Sequence, residues 1–159
     1  MKYLRSICVS GLLVVLMLCL GGAARGQVWR AIKPLKSVRT EVEGLLGPSS
    51  DRYLASYSLQ DGTLLVQYSS GPCTPETKGG WNVPEGTVVL IRFVPKSKKR
   101  FTSLKLEFSK FKRVEGGDVA GIVNYTNEED GVTYEVQRGR VDAIEYLPEK
   151  RHYSLKCGD

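Results

Sequence analysis

Histidine is almost missing from this 159-residue chain, with His152 its one example. A common zinc site takes most of its ligands from histidine and cysteine, and general base catalysis most often uses histidine, so both are disfavoured. In the charged run Arg151-His152-Tyr153 the imidazole is read as a solvated surface group, and no cofactor or metal is expected. Long apolar runs are lacking as well. The stretch Ile7 to Leu20 is fourteen residues, whereas an apolar helix needs about 20 to cross a bilayer. No internal repeat is visible, which argues against a solenoid or propeller.

The short apolar stretch has another use. Lys2 and Arg5 precede it and Gly21-Gly22-Ala23-Ala24 follow it, the three-part form of a secretory signal peptide. Cleavage is expected after Gly26, with Ala24 and Gly26 as the small residues the peptidase reads, and a cut after Ala24 is the runner-up. Cys19 is preceded by Leu18, where lipid attachment wants a small residue, so a lipoprotein signal is disfavoured. The expected organisation is a signal peptide over 1–26 and one domain over 27–159, secreted or periplasmic, with no transmembrane segment after cleavage.

Removing the signal changes two counts. Lys2, Arg5 and Arg25 supply three units of the formal charge of +6, so the mature chain carries +3. Cys8 and Cys19 leave with the signal, and the remaining pair, Cys73 and Cys157, is expected as a disulfide in an exported protein. Bonded sulfurs cannot serve as thiolate nucleophiles.

Periodicity outlines an α+β fold, one short N-terminal helix packed on an antiparallel sheet of five to seven strands. Val38, Val42, Leu45 and Leu46 form a helical stripe, with Ser37 as cap, Glu41 and Glu43 toward the positive end of the dipole, and Gly47-Pro48 as the stop. Trp29, Ile32 and Leu35 are expected to fold back ahead of it. Arg52 to Leu59 and Thr63 to Ser69 alternate around Gln60-Asp61-Gly62, a hairpin signal in which glycine supplies a positive φ. A polar loop from Ser70 to Pro84 follows, then a core strand from Thr87 to Val94. Ser103 to Phe108 alternates and is predicted as a half-buried strand, with Phe111 and Val114 following inward. Ile122 to Tyr125, Val132 to Gln137 and Val141 to Tyr146 are predicted as closing strands. Tyr153, Leu155 and Cys157 suggest a short edge strand in the tail.

Trp29, Ile32, Pro34-Leu35, Ser37, Arg39, Glu41-Val42-Glu43 and Leu45-Leu46-Gly47 are followed by Ser70-Gly71, Cys73, Trp81, Val83-Pro84 and Thr87-Val88. This pattern resembles a family of uncharacterised exported bacterial proteins with a W-x-x-I-x-P-L-x-S-x-R-x-D-V-E-x-L-L-G signature, Glu41 standing where the signature has aspartate. The resemblance implies export and architecture but no chemistry. A weaker likeness over Ser37 to Pro48 and the next hairpin looks like the small outer-membrane assembly lipoproteins of the SmpA/OmlA (BamE-like) type, which bind other proteins. Their lipid-bearing cysteine is missing here.

One stretch points to a binding surface. Lys96, Lys98, Lys99, Arg100, Lys105, Lys110, Lys112 and Arg113 are opposed by the single acid Glu107, a surplus that would attract an acidic polymer or an acidic protein face. The plainer reading is a solvated turn with charged strand faces. Export argues against nucleic acid. Glu128, Glu129 and Asp130 before Gly131 lack the alternating spacing of a calcium loop and are read as a solvated turn. Asn124-Tyr125-Thr126 fits the glycosylation pattern and carries little weight. Trp29 and Trp81 are read as core aromatics. The expectation is a non-catalytic interaction module of the cell envelope or periplasm that binds an envelope protein or acidic polymer. The alternative is a secreted hydrolase whose site these residues do not disclose.

Overall fold

A computed structural model describes residues 28–75, 79–115 and 121–158 of the protein, and the expected signal peptide lies outside them. None of the helices in the described residues is long and apolar enough to cross a membrane.

Seven strands form one sheet: β1 (Leu54–Ser58), β2 (Gly62–Tyr68), β3 (Val88–Pro95), β4 (Lys112–Glu115), β5 (Ile122–Asn127), β6 (Val132–Gln137) and β7 (Arg140–Tyr146). Their order is β1-β2-β3-β7-β6-β5-β4, and every neighbouring pair is antiparallel. Two meanders therefore meet side by side, with Ile91, Arg92 and Phe93 of β3 opposite Tyr146, Glu145 and Ile144 of β7. The chain leaves β3 in mid-sheet and must reach the far edge before β4 can form. It travels there across one face of the sheet.

That face carries the core in two clusters. The first gathers Leu64, Val66, Ile91 and Phe93 of the sheet under Trp29, Ile32 and Val42. Trp29 belongs to a single 3-10 turn, Val28–Ala31, and Val42 to the helix α1, Arg39–Leu46. The second cluster centres on Phe101, Val136 and Val141, and Ile144 packs against both. Side chains from alternate positions of each strand share a face, which is why β2, β3, β6 and β7 all place large residues here.

The helical stripe is half used. Val42 is fully buried and Leu46 partly, while Val38 is 38% and Leu45 46% exposed. Ser37 is not the cap. Its hydroxyl instead accepts the Lys33 N–H at 3.1 Å, closing the turn through Pro34 and Leu35, and Val38 takes the N-cap position with its N–H donating to the Glu41 carboxylate at 3.2 Å.

The Gly62 hairpin works differently from the sequence expectation. Gly62 does not have a positive φ; it is required because a Cβ there would lie 2.4 Å from the Val94 carbonyl oxygen and 2.6 Å from the Phe93 ring. The turn with two positive φ values is Arg138-Gly139, at 51° and 72°, between the paired residues Gln137 and Arg140 of β6 and β7. Both central residues of a twist-matched two-residue turn need that conformation.

Two predicted strands are absent from their positions. Ser103 to Phe108 lies between 3-10 turns at Phe101–Ser103 and Phe108–Lys110 and pairs with no strand. Its alternation is real, since Leu104 and Leu106 are half-buried while Lys105 and Glu107 are exposed. The segment lies over the sheet as a strap, because both sides of β3 are already occupied by β2 and β7. Phe111 turns inward against Tyr134 at 5.6 Å, but Val114, on edge strand β4, is 45% exposed. The tail forms a 3-10 helix, Lys150–Leu155, with a single bridge between Lys156 and Trp81. There the Asn82 N–H donates to the Leu155 carbonyl at 2.7 Å and the Cys157 N–H to that of Gly80 at 2.9 Å. The Cys73–Cys157 disulfide closes over this clip.

On the opposite face of the sheet, Arg92 of β3 pairs with Glu145 of β7 and, at 2.8 Å, with Glu135 of β6. Burial alone would lower the Arg92 pKa, and its hydrogen bonds to both carboxylates more than reverse that, holding it above its ordinary value. The junction of the two meanders is thus apolar on one face and ionic on the other.

Candidate binding cleft

The two core clusters do not close over each other. Between the N-terminal segment and the strap lies a cleft of about 920 Å³, near the upper end of the ~300–1,000 Å³ range of small-molecule sites. Its floor is the β3–β7 junction and the adjoining part of β6, presented as Ile91, Phe93, Tyr134, Val141, Ile144 and Tyr146. Trp29, Ile32 and Pro34 form one wall, and Leu104 and Leu106 the other.

The floor is apolar because mid-sheet strands have their backbone groups paired to neighbours and can present hydrocarbon without orphaned donors. Trp29 stacks on Phe93 with ring centroids 5.0 Å apart and meets the edge of Tyr146 at 6.0 Å. Its indole Nε1–H is buried and has no acceptor among the described residues. Burial raises the pKa of Tyr134 and Tyr146, partly offset at Tyr146 by the nearby Arg30 charge, so both phenols remain neutral well above pH 7.

Cations ring this floor. Arg30, Lys33 and Lys36 come from the N-terminal wall, and Lys96, Lys99 and Lys105 from the β3 end and the strap. Lys96 is engaged, its ammonium donating to the Leu59 and Gln60 carbonyls at 3.1 Å. The other five have no ion-pair partner among the described residues. The acids Asp61, Asp130 and Glu149 also line the cleft, and Glu149 is paired with Arg151 at 2.6 Å.

The basic run read from the sequence is thereby divided. Lys96, Lys99 and Lys105 reach the cleft. Lys98 pairs with Asp142, and Arg100 faces Arg140 in an isolated bridge. Lys110 pairs with Glu107 of the strap at 2.7 Å, Arg113 pairs beyond the strap with Glu115 at 2.6 Å, and Lys112 is exposed on β4. Arg30, Lys33 and Lys36 were missed by sequence reading. Their signal was a period of three, each basic residue directly following Trp29, Ile32 or Leu35 in turn, the repeat of a 3-10 turn.

The remaining candidates sit elsewhere or at the margin. His152 is half-buried and lines the cleft. Glu128, Glu129 and Asp130 are exposed, with Glu129 accepting from Lys150 at 2.9 Å and Asp130 from the Asn127 amide at 2.7 Å. Asn124 lies within β5, paired between Val114 and Glu135. Trp29 is buried, and Trp81 is half-buried against Tyr153 at 6.1 Å. No known family profile matches the chain, and searches of curated proteins and of solved structures likewise give no match.

Proposed function

We propose that this is an exported, non-catalytic binding module of the cell envelope or periplasm, and that it recognises its ligand in the cleft between the helix-bearing wall and the strap. The observation that carries this reading is the combination at one place of an aromatic and aliphatic floor with five cations that have no ion-pair partner among the described residues, Arg30 lying over the Trp29 ring at 5.8 Å. Concave sites that are mostly apolar with a few convergent polar groups are the usual form of ligand pockets. The sign of the rim selects for acidic ligands. The disulfide supports an oxidising compartment, and with both sulfurs bonded, the thiol chemistry of an enzyme is closed to them.

Anilinonaphthalene sulfonate, an apolar anion, tests the reading. The folded protein is expected to bind it saturably at one site, and Leu106→Trp, which fills the cleft from the strap, is expected to weaken that binding while the circular dichroism stays native. Absence of saturable binding, or binding indifferent to Leu106→Trp, would overturn it.

A further inference from the structure

Resting on that reading, we infer that the cleft accommodates a free, single-chain anionic amphiphile, a long-chain alkyl carboxylate, with its chain along the β3–β7 floor and its carboxylate among Lys33, Lys99 and Lys105. Two features select this class. The floor is made of strands whose backbone donors and acceptors already pair across the sheet, so it offers no ladder to an extended peptide, which would bring its own amide groups into an apolar place at a cost. An alkyl chain brings none. Cations with no ion-pair partner among the described residues come from both the N-terminal segment and the strap side, so one head group between them can meet charge from each side, whereas an extended polyanion would also meet the acids Asp61 and Asp130 that line the cleft.

The chain has tryptophan at two positions, Trp29 and Trp81, so Trp81→Phe leaves the cleft residue as the sole tryptophan emitter. ω-Bromododecanoate, whose bromine quenches at short range, is expected to quench Trp29 saturably. Unbrominated octanoate, decanoate and dodecanoate are expected to displace it with affinity rising by about fourfold per methylene. The triple variant Lys33→Ser, Lys99→Ser, Lys105→Ser changes exposed residues; it should weaken dodecanoate by about tenfold and leave dodecanol nearly unchanged.

If anilinonaphthalene sulfonate binds but the bromo-acid neither quenches nor competes, the amphiphile assignment falls and the binding reading stands. If neither binds, both fall. Equal weakening of dodecanol and dodecanoate by the triple variant would overturn the head-group placement. Attachment to phosphatidylglycerol vesicles that dodecanoate does not displace would show a membrane surface to be the partner and overturn the inference.

Discussion

Phe101 is the residue on which the strap depends. It is 5% exposed and stacks on Tyr125 at 4.2 Å, with Phe108 at 5.2 Å and Tyr134 at 5.7 Å. Removing a buried phenylalanine to alanine costs about 3–5 kcal/mol, through lost transfer energy and the cavity left behind. Aromatic pairs add about 0.5–1.5 kcal/mol each, which argues for the upper part of that range, while collapse of a surface strap into the void argues for the lower. Collapse is limited here, because the strap is pinned at its start by the Phe101 N–H to Gly139 carbonyl bond at 3.0 Å and by Val141 N–H to Lys99 carbonyl at 2.9 Å. About 4 kcal/mol is therefore expected for Phe101→Ala. With a urea slope of about 2 kcal/mol per molar, the unfolding midpoint falls by roughly 2 M. Phe101→Leu retains most of the volume and should cost about 1–1.5 kcal/mol. Urea titration followed by circular dichroism measures both. A loss under about 1 kcal/mol for Phe101→Ala would refute the claim that this ring anchors the second cluster, and equal losses for the two variants would show ring stacking rather than filled volume to be decisive.

Other outcomes follow from the same structure. Gly62→Ala places a methyl 2.4 Å from the Val94 oxygen and should destabilise by about 1–3 kcal/mol, whereas Gly44→Ala, in α1 with nothing within 4 Å, should stabilise by up to about 1 kcal/mol; thermal melts distinguish the signs. Changing Cys73 and Cys157 together to serine opens a crosslink spanning 84 positions and should cost up to roughly 4–5 kcal/mol by loop entropy, read from urea midpoints against the oxidised parent. Burial raises the pKa of Tyr68, Tyr134 and Tyr146. The unfolded chain therefore loses these protons first, above about pH 10, and stability present below that pH declines as it rises through the folded values. Urea midpoints measured alongside tyrosinate absorbance should show late-titrating phenols released together with unfolding.

The elements most legible in the sequence were those set by local pattern. The apolar run from Thr87 to Val94 and the alternation from Val132 to Gln137 appear as β3 and β6, and Cys73 and Cys157 are joined. The strap was misread because period two reports which side chains face inward, not whether a backbone partner exists; Leu104 and Leu106 face inward without joining the sheet. Ser37 was misread because a serine can satisfy either the helix start or the turn before it, and here the Lys33 N–H takes it. The cleft was out of reach for a different reason. Its basic rim joins Arg30, Lys33 and Lys36 to Lys99 and Lys105, groups far apart along the chain that are neighbours only because β7 lies beside β3.

That adjacency also orders events in time. Pairings within each meander are more local, β1 to β2 and β5 to β6 to β7 through tight turns and β2 to β3 through the longer loop between Tyr68 and Val88. The register of Ile91–Phe93 against Ile144–Tyr146 closes a loop of some fifty residues, and such distant pairings come at greater entropic cost and generally form later. The cleft floor therefore exists only in molecules whose two halves have docked, so a ligand of the proposed kind would favour the docked state over the open one.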